Sequence, residues 1–226
     1  MMINYILTNA RFFKRLIMEK HTESTKELFL NKALLLFSKN GYEAVSVAQI
    51  ACDVGCTAPA LYKHYSSKQE LFDAILEESM KGYQASMERL KLDFENHPEQ
   101  KEKFVNMTEE EQIQHAKDLV LSVLHNEKAN AFRKLMTVEQ FNMSNLAEMY
   151  NERYVFGQYK HYEEIFKVLI AAKKYKESDP YMMAVSFVSP LALLLGLVGR
   201  DSTKEKWALE IIERHVKEFN KQYRIN

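Results

Sequence analysis

Five residues that could make contacts on one surface fall close together: Ala58, Ala60, Tyr62, Lys63 and His64. At helical spacing they would share the outward face of one short helix. No nucleophile, general acid and general base stand at useful spacing anywhere in the chain. Histidines 97, 115, 125, 161 and 215 form no metal-ligand pattern, so catalysis and a metal cofactor are both disfavoured. The face suits contact instead. It can enter the major groove of DNA, where Lys meets guanine O6 and N7 and small apolar groups meet the thymine methyl.

The surrounding stretch SVAQIACDVGCTAPALYKHYSSK, residues 46–68, supplies what would position that face. Ser46 can cap a helix containing Val47, Ile50, Ala51 and Val54, and Gly55 can leave it with positive φ. Thr57 can cap a second helix, with Pro59 in its first turn, where the missing N–H costs nothing. Ala51 lets the two helices cross closely, and Ile50, Val54 and Leu61 fill the angle between them. This is the outline of a helix-turn-helix. Tyr65 is expected in the core. Cys52 and Cys56 have no second cysteine pair to join and are expected to be small buried thiols.

With its flanks, the stretch resembles the amino-terminal DNA-binding domain of TetR-type (AcrR-like) transcriptional regulators. The resemblance rests on Ala33, Leu36 and Phe37, then Gly41-Tyr42, Ser46-Val47, Ile50-Ala51 and Gly55. It continues through Pro59-Ala60-Leu61-Tyr62, His64-Tyr65, Lys68 and Leu71-Phe72. It implies phosphate contacts by Ser46, Thr57, Tyr62, His64 and Lys68, and base contacts along Ala58, Pro59, Ala60 and Lys63. Many relatives carry Lys or Gln where this chain has Ala58.

The 31 basic and 31 acidic residues balance, which excludes a protein that coats nucleic acid through a strongly basic surface. Binding would rest on a few placed groups acting in two copies. Residues 1–23 carry Arg11, Lys14, Arg15 and Lys20 without a signal-peptide core. They read as an extension, either upstream of a true start at Met18 or a basic arm for the minor groove. Ser24-x-x-Glu27, Ser46-x-x-Gln49, Ser67-x-x-Glu70, Thr108-x-x-Glu111 and Ser202-x-x-Glu205 each predict a capped helix start. A fourth helix should run from Lys68 towards Phe94, with the run from His97 to Lys103 as linker.

Beyond it the pattern is helical throughout. Ile113, Ala116, Val120 and Leu124 share a face, and Phe132, Leu135 and Met136 share another. A long segment from Ser144 to Lys173 carries two stripes, and on one of them Tyr150, Tyr154, His161 and Ile165 are candidate ligand contacts. Asp179-Pro180 opens a charge-free helix to Gly199, long enough to span a membrane but interrupted by Pro190. Burial between subunits explains its apolarity better. Leu191, Leu194, Leu195 and Val198, with Trp207, Ile211 and His215 of the final helix, are the expected dimer interface.

The expected fold is therefore all-α. Residues 24–70 form a three-helix DNA-binding head, which a long helix joins to a regulatory and dimerisation body, residues 71–226. The resemblance implies a cytoplasmic homodimer that binds palindromic double-stranded operator DNA, most simply a repressor released by a small apolar or amphipathic effector. It implies no cofactor and no membrane partner. The alternative is a DNA-binding regulator that has no effector pocket.

Overall fold

The structure, a computed structural model, describes residues 24–90 and 98–225, so the extension at 1–23 and the approach to Phe94 lie outside the described residues. It is helical throughout. The elements are α1 (Thr25–Asn40), α2 (Val47–Asp53), α3 (Ala58–Tyr62), α4 (Lys68–Leu90), α5 (Pro98–Asn106), α6 (Glu109–Leu124) and α7 (Glu127–Glu139). Then come α8 (Ser144–Asn151), a π turn (Glu152–Phe156), α9 (Gly157–Ala171), α10 (Pro180–Arg200), a 3₁₀ turn (Ser202–Lys204) and α11 (Glu205–Tyr223). Among the described residues the β-type pairing is one isolated bridge, Tyr175 with Arg224.

Local chemistry sets most helix starts. Ser24 and Glu27 exchange reciprocal bonds at the start of α1, as do Ser46 and Gln49 at α2 and Thr108 and Glu111 at α6. Asp179 accepts from the N–H groups of Tyr181 and Met182, with Pro180 as the first helical residue of α10. Two starts differ from expectation. At α4 the Ser67 hydroxyl accepts from Glu70 N, but the Glu70 carboxylate turns to the N–H and hydroxyl of Ser66. Before α11, Asp201 rather than Ser202 is the cap. Its carboxylate takes the Thr203 N–H at 3.0 Å, and a 3₁₀ turn separates it from the α-helix.

The run expected as a linker is helical from Pro98 onwards, because proline is well placed to open α5. The long segment from Ser144 is helical to Ala171, but a π turn divides it, with the Gly157 N–H reaching back five residues to the Glu152 carbonyl.

Two apolar cores organise the chain. The first unites Phe29, Ala33, Phe37, Ile50, Ala51, Leu61, Tyr65, Leu71 and Phe72 of the head with Ala131, Phe132, Leu135 and Met136 of α7 and Leu146 of α8. The head is thus completed by helices far along the chain. Between them lies a polar clamp: Glu139, only 3% exposed, accepts the Tyr42 N–H at 2.7 Å and the Asn142 side-chain amide at 3.3 Å. Gly41 makes this approach possible. Its φ is +82°, and a Cβ there would lie 3.1 Å from the Glu139 carboxylate.

The second core joins α5, α6, α9, α10 and α11 around Phe166, Phe187 and Phe219. Tyr159 and Ser189 hydroxyls bond at 2.9 Å between α9 and α10, and Lys117 pairs with Glu213 at 2.9 Å between α6 and α11. On length and composition α10 could cross a membrane, but Met183, Ala184, Phe187, Leu191, Leu194 and Val198 are buried against neighbouring helices of the same chain. That placement corrects the expected interface. Leu191, Leu194 and Val198 are within 5% of full burial inside the protomer and Leu195 is half-buried, because the more regular apolar stripe faces the larger core. The open side of α10 carries Tyr181, Met182 and Leu193 instead.

Leu194→Asp is accordingly expected to unfold the body rather than to separate two intact subunits. An unpaired carboxylate in this core costs at least about 3 kcal/mol, since the leucine's burial is lost and the charge is not solvated. Chemical denaturation of the purified variant measures this. Wild-type stability with altered oligomeric state would contradict the placement.

Candidate nucleic-acid interface and the cavity of the body

The head presents its short third helix outwards because only Leu61 of α3 is fully buried, packed with Ile50 and Ala51 where α2 and α3 cross. Gly55, at φ +74°, turns the chain between them. On the outer side Pro59, Tyr62, Lys63 and His64 are exposed, while Ala58 and Ala60 are partly covered. Tyr62 is 51% exposed, unusual for a side chain of that size. Lys63 makes no hydrogen bond or ion pair with the described residues, so its ammonium is available to a base edge or a phosphate.

The flanking groups divide into free and engaged ones. Thr57 stands at the cap position of α3 but makes no capping bond through its side chain, contrary to expectation, which leaves its exposed hydroxyl for an external acceptor. Ser46 is engaged with Gln49 at the start of α2. The His64 ring rests on Phe29, with centroids 5.9 Å apart. Lys68 is partly buried: its ammonium lies 4.1 Å from the centre of the Tyr42 ring and 3.4 Å from the Glu43 carbonyl oxygen. That cation–π contact holds α4 against the turn after α1. An ammonium has three donors, so a phosphate oxygen can still be met.

Cys52 is exposed and Cys56 partly so, which corrects their assignment as buried thiols. The cause is the shortness of α2, whose last turn reaches the head's rim. Tyr65 is core as expected, 2% exposed with its hydroxyl on the Lys26 carbonyl at 3.2 Å.

In the body, the four candidate ligand contacts are not brought together. Tyr150 and Tyr154 pack on the head-side core and stack on each other at 5.2 Å, whereas Ile165 belongs to the second core. His161 neighbours Tyr162, and burial lowers its pKa to about 4, so its imidazole is neutral near pH 7. A cavity lies between α5, α6, α9 and α10, lined by Phe104, Met107, His115, Tyr162, Ile165 and Phe187 among others, and encloses about 30 Å³. Two buried polar atoms there lack partners, the Tyr162 hydroxyl and His115 Nε2. Burial raises the Tyr162 pKa, while burial and then Lys103 lower that of His115, so both groups are uncharged. Sequence periodicity placed Tyr162 on a helix face, but nothing local announced that α6 would bring His115 to the same space.

A second depression, about 440 Å³ between α10 and α11, is open to solvent and lined by Ser186, His215, Glu218, Phe219 and Lys221 among others. His215 Nε2 lies 2.9 Å from the Phe187 carbonyl oxygen, Ile211 is partly buried, and Trp207 remains 48% exposed. Of the three α11 residues expected at an interface, Trp207 alone is exposed.

Comparison with known proteins divides the chain in the same way. Residues 29–75 match the bacterial regulatory proteins, tetR family. The HTH-type transcriptional repressor ComR of Escherichia coli (strain K12) is 36% identical over 63 residues, which are 28% of this chain and 30% of ComR. That similarity spans under a third of the relative's length.

The fold likeness is wider. A TetR-family regulator from Mesorhizobium loti MAFF303099 superposes with a TM-score of 0.61 at 18% identity, covering 92% of this chain and all of the other. SmeT in complex with triclosan does so with a TM-score of 0.61 at 17% identity, covering 89% and 92%. SmeT is the repressor of the Stenotrophomonas maltophilia multidrug efflux pump SmeDEF. The head thus matches the tetR family over residues 29–75, and the chain as a whole shares the all-α fold of these solved structures.

Proposed function

We propose that this chain is a cytoplasmic, sequence-specific DNA-binding regulator of transcription, a homodimeric repressor that leaves a palindromic operator when a small apolar or amphipathic molecule enters its body. The observation that carries the DNA-binding reading is the outward face of α3, where Tyr62 and Lys63 stand exposed and unengaged beside the free Thr57 hydroxyl. Lys63 reads a base, and Thr57, Tyr62, His64 and Lys68 hold phosphates; Ser46 adds the amino terminus of α2.

Two copies are needed because the head offers few cations. Half-sites one duplex turn apart require recognition helices at about 34–36 Å, and the bodies must hold that spacing. The face suited to this is the open side of α10 and α11. Leu193 is 70% exposed, Met182 55% and Trp207 48%, an amount of apolar side chain that favours a covering partner.

Response to a ligand is supported by the cavity with its two unpartnered polar groups, and by the triclosan complex of SmeT, which shares the fold. The route to the head runs through α7, whose Glu139 grips the Tyr42 backbone while its Arg133 guanidinium sits against Gly199 of α10. A shift of α10 is thereby felt where the head is seated. By reciprocity, operator DNA weakens the ligand as much as the ligand weakens the DNA. The small cavity volume favours the other reading, a regulator without an effector; a ligand screen by thermal shift with and without operator separates the two.

For the DNA interface, Lys63→Ala is expected to relax preference at one base pair of each half-site by about 1–3 kcal/mol, measured against a panel of operator variants. Lys68→Ala should weaken every sequence alike and also loosen the head, since the cation–π contact with Tyr42 is lost. Uniform loss in both variants would remove Lys63 from base reading. For assembly, Leu193→Asp is expected to give folded monomers in light scattering with at least tenfold weaker operator binding, its melting temperature near that of the wild type. A stable dimer in that variant would place the interface elsewhere.

A further inference from the structure

The reading of the body as an effector site leaves the chemical class of the ligand open, and the lining of the cavity narrows it. Phe104, Tyr162, Phe166, Tyr175 and Phe187 make the walls aromatic, and Met107 supplies a side chain able to change shape. Among the described residues no Asp, Glu, Lys or Arg lines the space. The Gln112 side-chain oxygen is already committed, accepting from the Asn220 side-chain amide at 2.8 Å, and the Tyr175 hydroxyl donates to Asn220 Oδ1. The Tyr162 hydroxyl, in a residue 3% exposed, and His115 Nε2 are what remains. Leaving such groups buried and unbonded is unfavourable, and a ligand that bonds them recovers that loss.

We propose that the cavity between α5, α6, α9 and α10 selects an uncharged aromatic molecule carrying one hydroxyl or carbonyl group, which bonds the Tyr162 hydroxyl and His115 Nε2 while its ring lies among Phe104, Phe166 and Phe187. Formal charge of either sign is rejected. An anion finds no cation in the lining, and a cation finds no carboxylate, while a buried charge without a partner is costly. The neutrality of His115 and His161 keeps the site in this state near pH 7. A single ring is larger than the enclosed volume, so entry moves the Phe104 and Met107 side chains outward from α9. This inference rests on the effector reading but is tested apart from it.

Calorimetric titration of the full-length protein with four probes of similar size provides the test: p-cresol, toluene, benzoate and benzylammonium. The expected order places p-cresol first, about tenfold tighter than toluene, as one or two neutral hydrogen bonds allow, with no measurable binding of the two ions. In Tyr162→Phe, p-cresol should lose several-fold in affinity and keep only the advantage over toluene that the His115 bond gives, while toluene does not weaken. Ser186→Ala, in the open groove, should alter neither. Tighter binding of benzoate or of the ammonium, equal binding of p-cresol and toluene, no binding of any probe, or an unchanged p-cresol affinity in Tyr162→Phe would each overturn the assignment. Operator binding is measured separately with the same probes. If p-cresol binds as described but leaves operator affinity unchanged, the ligand class stands and the effector reading falls.

Discussion

The seating of the head depends on one buried carboxylate. Glu139 lies at the end of α7, almost without solvent, and accepts the backbone N–H of Tyr42 from the turn that ends α1. A carboxylate in that position needs its donors in place; one is the nearby Asn142 side-chain amide, and the shorter bond comes from a loop 97 residues earlier in the chain. Around it α1 and α7 share an apolar core, so head and body cannot tilt independently at this junction. Gly41 completes the arrangement by omitting a side chain where Glu139 arrives.

This joint has a counterpart on the other side of α7. The Arg133 guanidinium occupies the space that a side chain at position 199 would need, only 2.0 Å from where its Cβ would stand, and it bonds the Asn130 side chain at 3.0 Å. Burial lowers the Arg133 pKa and the neighbouring Arg200 adds to the effect. The carboxyl end of α10, with its unsatisfied carbonyls, favours a cation there. One helix is thus fixed by an anion against the head and by a cation against the body. Packed helices of this kind move as units, between discrete arrangements, rather than by gradual bending.

Much of the architecture was legible in the chain, and the failures have physical causes. Caps at Ser24, Ser46, Thr108 and Asp179 involve neighbours two or three residues apart, and local chemistry decided them. The start at Ser67 misled because Ser66 offers Glu70 both a hydroxyl and an N–H, and the start at Ser202 because Asp201 is the stronger acceptor. The absence of charge from Pro180 to Gly199 marked α10 as a buried helix, expected between subunits, but left no polar face to set which side turns inward. The meeting of His115 with Tyr162, and of Glu139 with Tyr42, arises from tertiary packing, which no short window of sequence contains.

The π turn between α8 and α9 gives the helical segment from Ser144 to Ala171 two addresses. Before it, Tyr150 packs on the head-side core; after it, Tyr162, Ile165 and Phe166 pack in the body, and the turn supplies the angular offset that reconciles the two. Each residue of an α-helix advances about 100° around the axis. Deleting a single residue between Glu152 and Phe156 would therefore rotate one tyrosine set relative to the other by more than a quarter turn. Point substitution is tolerable at much of this exposed or half-covered turn, but a change of length is not. Drift among relatives of this chain should accordingly keep the residue count from Tyr150 to Tyr162 even where the intervening letters differ.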